Sequence, residues 1–372
     1  MTSPGVGPIT LFLCGDVMLG RGIDQVLPYP GDPQLHEHFV KSALDYVQLA
    51  ENVNGPIARP AAFAYIWGDA LVELARRKPD IRIINLETSI TTHNAFEPKG
   101  IHYRMHPGNI GCLAEAGIDC CVLANNHVLD WGEEGLVETL ATLRGAGIRS
   151  AGAGQNLIEA EAPAVFDLGE RGRVRVFAFA AGSSGVPDRW AADARRPGIA
   201  FLPDLSQGTV EAIGSVLRRA RRPGDLTVVS LHWGGNWGYA IPSAHGEFAH
   251  ALIDSAGVDL VFGHSSHHAL GIEVYRQKLI VYGCGDFIND YEGIPGYEQF
   301  RGDLPLMYFA TLDPGTRRLQ SLLMVPLHIR QFRLNRAKPA DTEWIAGVLR
   351  REGERLGTDV RLNADAALEL SW

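Results

Sequence analysis

Residues 123–132, LANNHVLDWG, join the apolar run DCCVLAN (119–125) to the helical pattern EEGLVETLATLRGAG (133–147). The join carries an amide, an imidazole and a carboxylate, Asn126, His127 and Asp130, where a strand should end. A helix start is served by one short polar cap and does not need three such groups. The trio therefore predicts a site at the carboxyl end of a strand, the place where the loops of an α/β sheet converge on one crevice.

The rest of the chain repeats the arrangement. The runs ITLFLCG (9–15), IRIINLE (81–87), RVRVFAFAA (173–181), LTVVSLHWG (226–234), VDLVFGH (258–264) and KLIVYGCGD (278–286) have the length and β-branched content of strands. Between them, residues 33–53, 68–78, 133–147 and 243–257 space their apolar residues as helices do. Strands alternating with helices predict an α/β class with a mixed or mainly parallel sheet covered by helices. Nearly every strand ends in side chains that bind metals or move protons: Asp16, Asn85 and Glu87, Asn126 and His127, His232, His264 and His267, and Asp286. Residues 181–225 predict turns, a loop over the site and one helix. One domain over 8–330 is expected, with a C-terminal extension over 331–372 that contains a strand and a helix capped near Asp341.

Composition narrows the function. With 372 residues, 46% hydrophobic and a net charge of −9, the chain can bury a large core, and without a basic block it offers no footprint for nucleic acid. The five cysteines, Cys14, Cys112, Cys120, Cys121 and Cys284, follow no metal or disulfide spacing and read as buried free thiols. The N-terminus has neither a basic region nor an uninterrupted apolar core, since Asp16 breaks it, and no segment reaches the ~20 apolar residues of a membrane span. A cytoplasmic protein with no membrane partner is expected, and the sequence carries no signal for its oligomeric state.

Asp16 and Glu87, each directly after an apolar strand, and Asn126 supply three oxygen donors, two of them anionic, as a hard divalent cation prefers. Calcium, manganese or magnesium fits this set, whereas nitrogen from His232 or His267 moves the preference toward manganese, zinc or iron. No organic cofactor is indicated. His127 with Asp130, and His267 or His264 with Asp286, form candidate acid/base pairs. Trp233, Trp237 and Tyr239, set among Gly234, Gly235 and Gly238, read as an aromatic substrate pocket, and Arg104 as a further substrate contact. His268 reads as outward-facing, and Asp290 and Glu292 as loop carboxylates.

Taken in order, GDVMLGRG, INLETSI, LANNHVLDWG, LHWG, GHSSHHALGIE and YGCGDFI resemble the CapA-like, poly-γ-glutamate biosynthesis type family of the calcineurin-like metallophosphoesterase superfamily, over about residues 9–290. The resemblance implies a four-layer α/β sandwich with two packed mixed sheets. It implies metal ligation by Asp16, Glu87, Asn126, His232 and His267, with His127 as a general acid. Met18 and Ser265 stand where that superfamily has two further histidines. One metal ringed by free histidines is therefore expected, together with acid/base chemistry in place of a two-metal clamp. Two such groups facing each other suit Cα epimerisation, and the chain is similar to the epimerases of this family that act on ribosomally made lasso-type peptides. The expected substrate is a peptide; the alternatives are a phosphoesterase or other metal hydrolase, and a poly-γ-glutamate (capsule) biosynthesis protein.

Overall fold

A computed structural model describes residues 7–219 and 221–372; the first six residues of the N-terminal stretch discussed above lie outside them. Two sheets dominate. The ten-stranded one runs Asp359–Leu362, Leu368–Ser371, Leu319–Arg330, Leu306–Leu312, Ile9–Val17, Ile81–Leu86, Cys120–Val122 and Arg149–Ala151, with Asp286–Ile288 also paired to Ile9–Val17 and Arg333–Arg336 to Leu319–Arg330. The seven-stranded one runs Phe201–Leu202, Arg173–Ala181, Leu226–His232, Leu260–His264, Lys278–Val281 and Ile272–Tyr275, with Ala164–Asp167 added beside Arg173–Ala181. Both are mixed: Ile9–Val17 is parallel to Ile81–Leu86 and antiparallel to Leu306–Leu312, and the second sheet is parallel except for Ala164–Asp167 on Arg173–Ala181 and Ile272–Tyr275 on Lys278–Val281, which are antiparallel.

Side-chain alternation sets the layers. In Arg173–Ala181, Val174, Val176, Ala178 and Ala180 join the core shared with Leu11, Leu13 and Ile83 of the first sheet. The residues between them, Phe177, Phe179 and Ala181, pack on the helices Gln207–Arg218 and Ser243–Ala251 through Val210, Ile213 and Phe248. Helices including Ala43–Asn54, Asp69–Arg77 and Gly132–Gly145 bury their apolar residues in the core of the first sheet. The result is the four-layer α/β sandwich. All five cysteines are buried free thiols. No helix among the described residues is long and apolar enough to cross a membrane.

Two expectations change here. Residues 33–42 are not helical: Gln34 bridges to Ser42, whose side chain caps Ala43–Asn54, and Glu37 turns inward to meet Arg21. Residues 331–372, expected as an extension packing on the domain, join the first sheet itself through Leu368–Ser371, which pairs with Leu319–Arg330. The helix of that segment, Pro339–Gly353, begins after Lys338 and carries Asp341 in its first turn.

Glycines allow close backbone approach at the site end of each sheet. A Cβ on Gly15 would lie 1.7 Å from the carbonyl oxygen of Gly285, and one on Gly263 would lie 2.3 Å from that of Tyr282. Both obstacles are backbone and cannot rotate away. Gly15→Ala is expected to cost about 3 kcal/mol or more in a denaturant unfolding curve.

His245 is stacked on Trp233 with ring centroids 4.2 Å apart, and burial pushes its pKa down to about 4. The folded protein thus holds His245 neutral at pH values where the unfolded chain protonates it near 6.5, so stability falls as pH drops through that window. His245→Gln should flatten the fall in Tm between pH 6.5 and 4 by up to one proton's worth of linkage; an unchanged slope would refute the assignment.

Candidate metal and acid–base site

Strand register assembles the site. Asp16 lies beside Asn85 on one flank and Asp286 on the other, and His232 pairs with His264 in the second sheet. The sheets meet where the Ser265 N–H donates to Asp16 Oδ2 at 3.3 Å. Ser265 adopts φ 104 to do so, a conformation unfavourable for a residue with a Cβ and typical of functional sites.

Hydrogen bonds then run around Asp16. Asn85 Nδ2 donates to Asp16 Oδ1 at 2.7 Å and to Glu87 Oε2 at 3.2 Å, while Asn125 Nδ2 donates to Asn85 Oδ1 at 3.0 Å. Asn126 Oδ1 lies 3.1 Å from His232 Nε2, His232 Nδ1 lies 2.7 Å from His264 Nδ1, and His264 Nε2 lies 2.5 Å from Ser230 Oγ. Ser184 Oγ bonds the His232 carbonyl at 3.1 Å, which places the segment after residue 181 against this part of the site.

Two histidine–carboxylate pairs complete the group. His127 Nδ1 is 2.6 Å from Asp130 Oδ2, and its Nε2 lies 3.9 Å from Glu87 Oε1. His267 Nδ1 is 2.8 Å from Asp286 Oδ1, and Asn289 Nδ2 holds the other oxygen of Asp286 at 2.8 Å. In each pair the carboxylate fixes the tautomer and leaves Nε2 free. Asp130 is not a helix cap, since Gly132–Gly145 starts after Trp131 without a side-chain cap.

The electrostatics follow from burial. Burial, and then the charge of Asp286, raise Asp16 to about 7; burial and Asp16 push Glu87 well above its ordinary range; burial raises Asp286. Burial lowers His127 to about 4 against the pull of Asp130, and lowers His264 to about 3 and His232 strongly. For His267 burial pulls downward too, but Asp286 outweighs it and holds the imidazole above its usual value. Asp130 is desolvated, yet His127 and Lys99 keep it low.

Three buried carboxylates driven toward protonation are a cation-binding environment. Donor atoms of Asp16, His232 and His264 lie within 4.8 Å of one another, as do those of Asp16, His267 and Asp286. The side chains present therefore fit a divalent cation, and they form two donor groups sharing Asp16 where a single oxygen-rich centre was expected.

Several sequence readings are corrected. His264 has no carboxylate pair of its own; alternation turns it toward His232 and Ser230, so it sits with the donor group and not in an acid/base dyad. Trp233 is 3% exposed, stacks on His245 and donates to the Tyr282 carbonyl, so it is core and cannot line a substrate pocket. Arg104 points elsewhere, to the carbonyls of His93 and Asp32 and over the ring of Trp131. His268 is buried, accepting from the Gly238 N–H. Trp237 and Tyr239 do reach the neighbourhood of the site: Trp237 lies 5.1 Å from the His267 ring and stacks on Tyr297 at 4.1 Å, and Tyr239 packs on His268.

The sequence reading passed over Lys99, whose Nζ bonds Asp130 Oδ1 at 2.7 Å and the Asn126 carbonyl. It also passed over Arg21, Tyr103, Asn289 and Tyr291. Asp290 is no loop carboxylate: it is fully buried against the Arg21 guanidinium. Glu292 accepts the backbone N–H groups of Gln331 and Phe332. Asn289, Asp290 and Tyr291 follow Asp286 so closely that the string DFINDY was itself a signal.

Residues 10–291 match the family described as "Bacterial capsule synthesis protein PGA_cap". A Mycobacterium tuberculosis protein named "Probable polyglutamine synthesis accessory protein" is 48% identical over 364 residues, covering 97% of this chain and 96% of that protein. The "Capsule biosynthesis protein CapA" of Bacillus anthracis is 25% identical over 327 residues, 87% of this chain and 68% of that one. The "PGA biosynthesis protein CapA" of Bacillus subtilis is 25% identical over 319 residues, 85% and 70% respectively.

Isothermal titration with manganese separates the roles. Asp16→Ala is expected to weaken binding at least about 100-fold, since both donor groups lose a member, whereas His127→Ala should keep the affinity within about threefold. Undiminished binding by Asp16→Ala would overturn the placement.

Proposed function

Because this chain belongs to the bacterial capsule synthesis PGA_cap family, we propose that it is a metal-dependent enzyme of polyglutamate synthesis that works on the amide backbone of a glutamyl polymer. The observation carrying this reading is the pair of dyads, His127–Asp130 at 2.6 Å beside Glu87 and His267–Asp286 at 2.8 Å beside Asp16. Amide cleavage or transfer needs one group to take a proton from the attacking nucleophile and another to give one to the departing nitrogen. The free Nε2 atoms of His127 and His267 supply the two. Asp16, His232 and His264 would hold the cation, with Glu87 and Asn126 next to them. A divalent cation bound there polarises a carbonyl or phosphoryl oxygen and lowers the pKa of a bound water. The nitrogen content of these donors favours manganese, iron or zinc over calcium and magnesium. Trp237 beside His267 and Tyr239 beside His268 form a wall for the polymer.

A second reading uses the same dyads for Cα epimerisation of a peptide, one imidazole removing the proton and the other returning it on the opposite face. The names of the relatives support a glutamyl polymer over a lasso-type peptide as the substrate.

The test is incubation of manganese-loaded protein with poly-γ-glutamate in D₂O, following chain length by size exclusion and deuterium at Cα by mass spectrometry, beside a phosphodiester control. Shortened chains are expected, with the rate falling about 10²- to 10⁴-fold in His127→Ala and in His267→Ala. Deuterium entry without shortening would establish epimerisation instead, and phosphodiester cleavage alone would make the protein a phosphoesterase.

A further inference from the structure

The string DFINDY places four working side chains within six residues, Asp286 to Tyr291. Asp286 orients His267, Asn289 holds Asp286, Asp290 binds Arg21, and Tyr291 points its hydroxyl at the sulfur of Met18, 3.6 Å away. A thioether is a weak acceptor, so the Tyr291 O–H has a donor's geometry without a donor's usual partner. Its oxygen meanwhile accepts from Tyr103 Oη at 2.9 Å.

The two phenols link the two dyads. Tyr103 stands edge-on to His127 with centroids 4.5 Å apart, and Tyr291 stands edge-on to His267 at 5.4 Å. Behind them lies Arg21, buried, in a left-handed conformation at φ 49, bonded to Asp290, Glu37 and Tyr46. Its guanidinium carbon is 4.5 Å from the centroid of Tyr103 and 5.7 Å from that of Tyr291. A cation held over phenol rings makes their O–H groups better donors, and a buried bidentate pair keeps it in place. Tyr103 is buried whereas Tyr291 is partly exposed, so of the two phenols Tyr291 lies nearer the open side of the site.

We propose that Tyr291 is a substrate-contacting residue whose neutral O–H donates to an oxygen of the reacting group, carbonyl, carboxylate or phosphoryl, held between His127 and His267, with Tyr103 and Arg21 as positioning residues. This rests on the reading that the reacting group sits between the dyads. Donors aimed at an oxygen on which negative charge develops stabilise it without reorganisation. The hydroxyl of Tyr291 takes the side of the site where Met18 supplies neither a charge nor a strong hydrogen bond.

The experiment titrates inorganic phosphate, an oxyanion probe, into full-length protein with and without manganese, for the wild type, Tyr291→Phe and Tyr103→Phe. Tyr291→Phe keeps the ring and removes only the hydroxyl, so it should weaken phosphate about tenfold while manganese affinity stays unchanged, with a lower Tm because the buried Tyr103 hydroxyl loses its acceptor. Tyr103→Phe should weaken it about threefold, by freeing the Tyr291 hydroxyl to reorient. Wild-type phosphate affinity in manganese-loaded Tyr291→Phe would overturn the proposal, as would wild-type protein that takes up phosphate in neither state. Failure of the polyglutamate reading is seen separately, as chains that neither shorten nor exchange, and leaves the phosphate comparison intact.

Discussion

A carboxylate at the seam of two sheets loses its water, and Asp16 is that carboxylate. Uncompensated, such burial costs several kcal/mol, and the surroundings answer it with Asn85 Nδ2, the Ser265 N–H and a neighbouring imidazole. Each of these imposes something on the fold. Asn85 must end its strand level with Asp16, Ser265 must accept a strained φ, and His267 must be turned by Asp286. The remaining need for positive charge is what fits the place to a cation, and the neutral histidines there to ligation.

The same constraint divides labour among the imidazoles. His232 and His264, back to back and bonded to each other, are kept neutral by burial with Asp16 Oδ1 3.9 Å from His264 Nδ1, which suits ligation. His127 and His267 each spend one nitrogen on a carboxylate and keep the other free, which suits proton transfer. Their surroundings push them in opposite directions, His127 downward and His267 upward, a division found where one group serves as base and its counterpart as acid. Membership of a capsule-synthesis family is the ground for the polymer proposed as substrate.

Much of this was written in local sequence. Strands were legible because β-branched runs of the right length ended in polar groups, and the His127–Asp130 pair because three residues separate its members. What stayed hidden was set by long-range packing. Arg21 and Asp290 are 269 residues apart, and no local signal joins them. Glu37 lies in a stretch with helical spacing that gives up its helix to meet Arg21. Trp233 and Trp237 look equivalent beside the same glycines, yet the first follows the strand into the core and the second leaves it. His264 was misread because spacing does not tell which face of a strand a side chain takes.

The near-contact of Gly15 with Gly285, and of Gly263 with Tyr282, is made entirely by backbone. The close backbone approach beside Asp16, His264 and Asp286 therefore depends on the absence of a Cβ at Gly15 and Gly263 and on no particular side chain. A descendant that exchanged Met18 for histidine, or His264 for serine, would inherit the same scaffold around a different chemistry. The frame is therefore far less tolerant of change at these two glycines than at the side chains hung upon it.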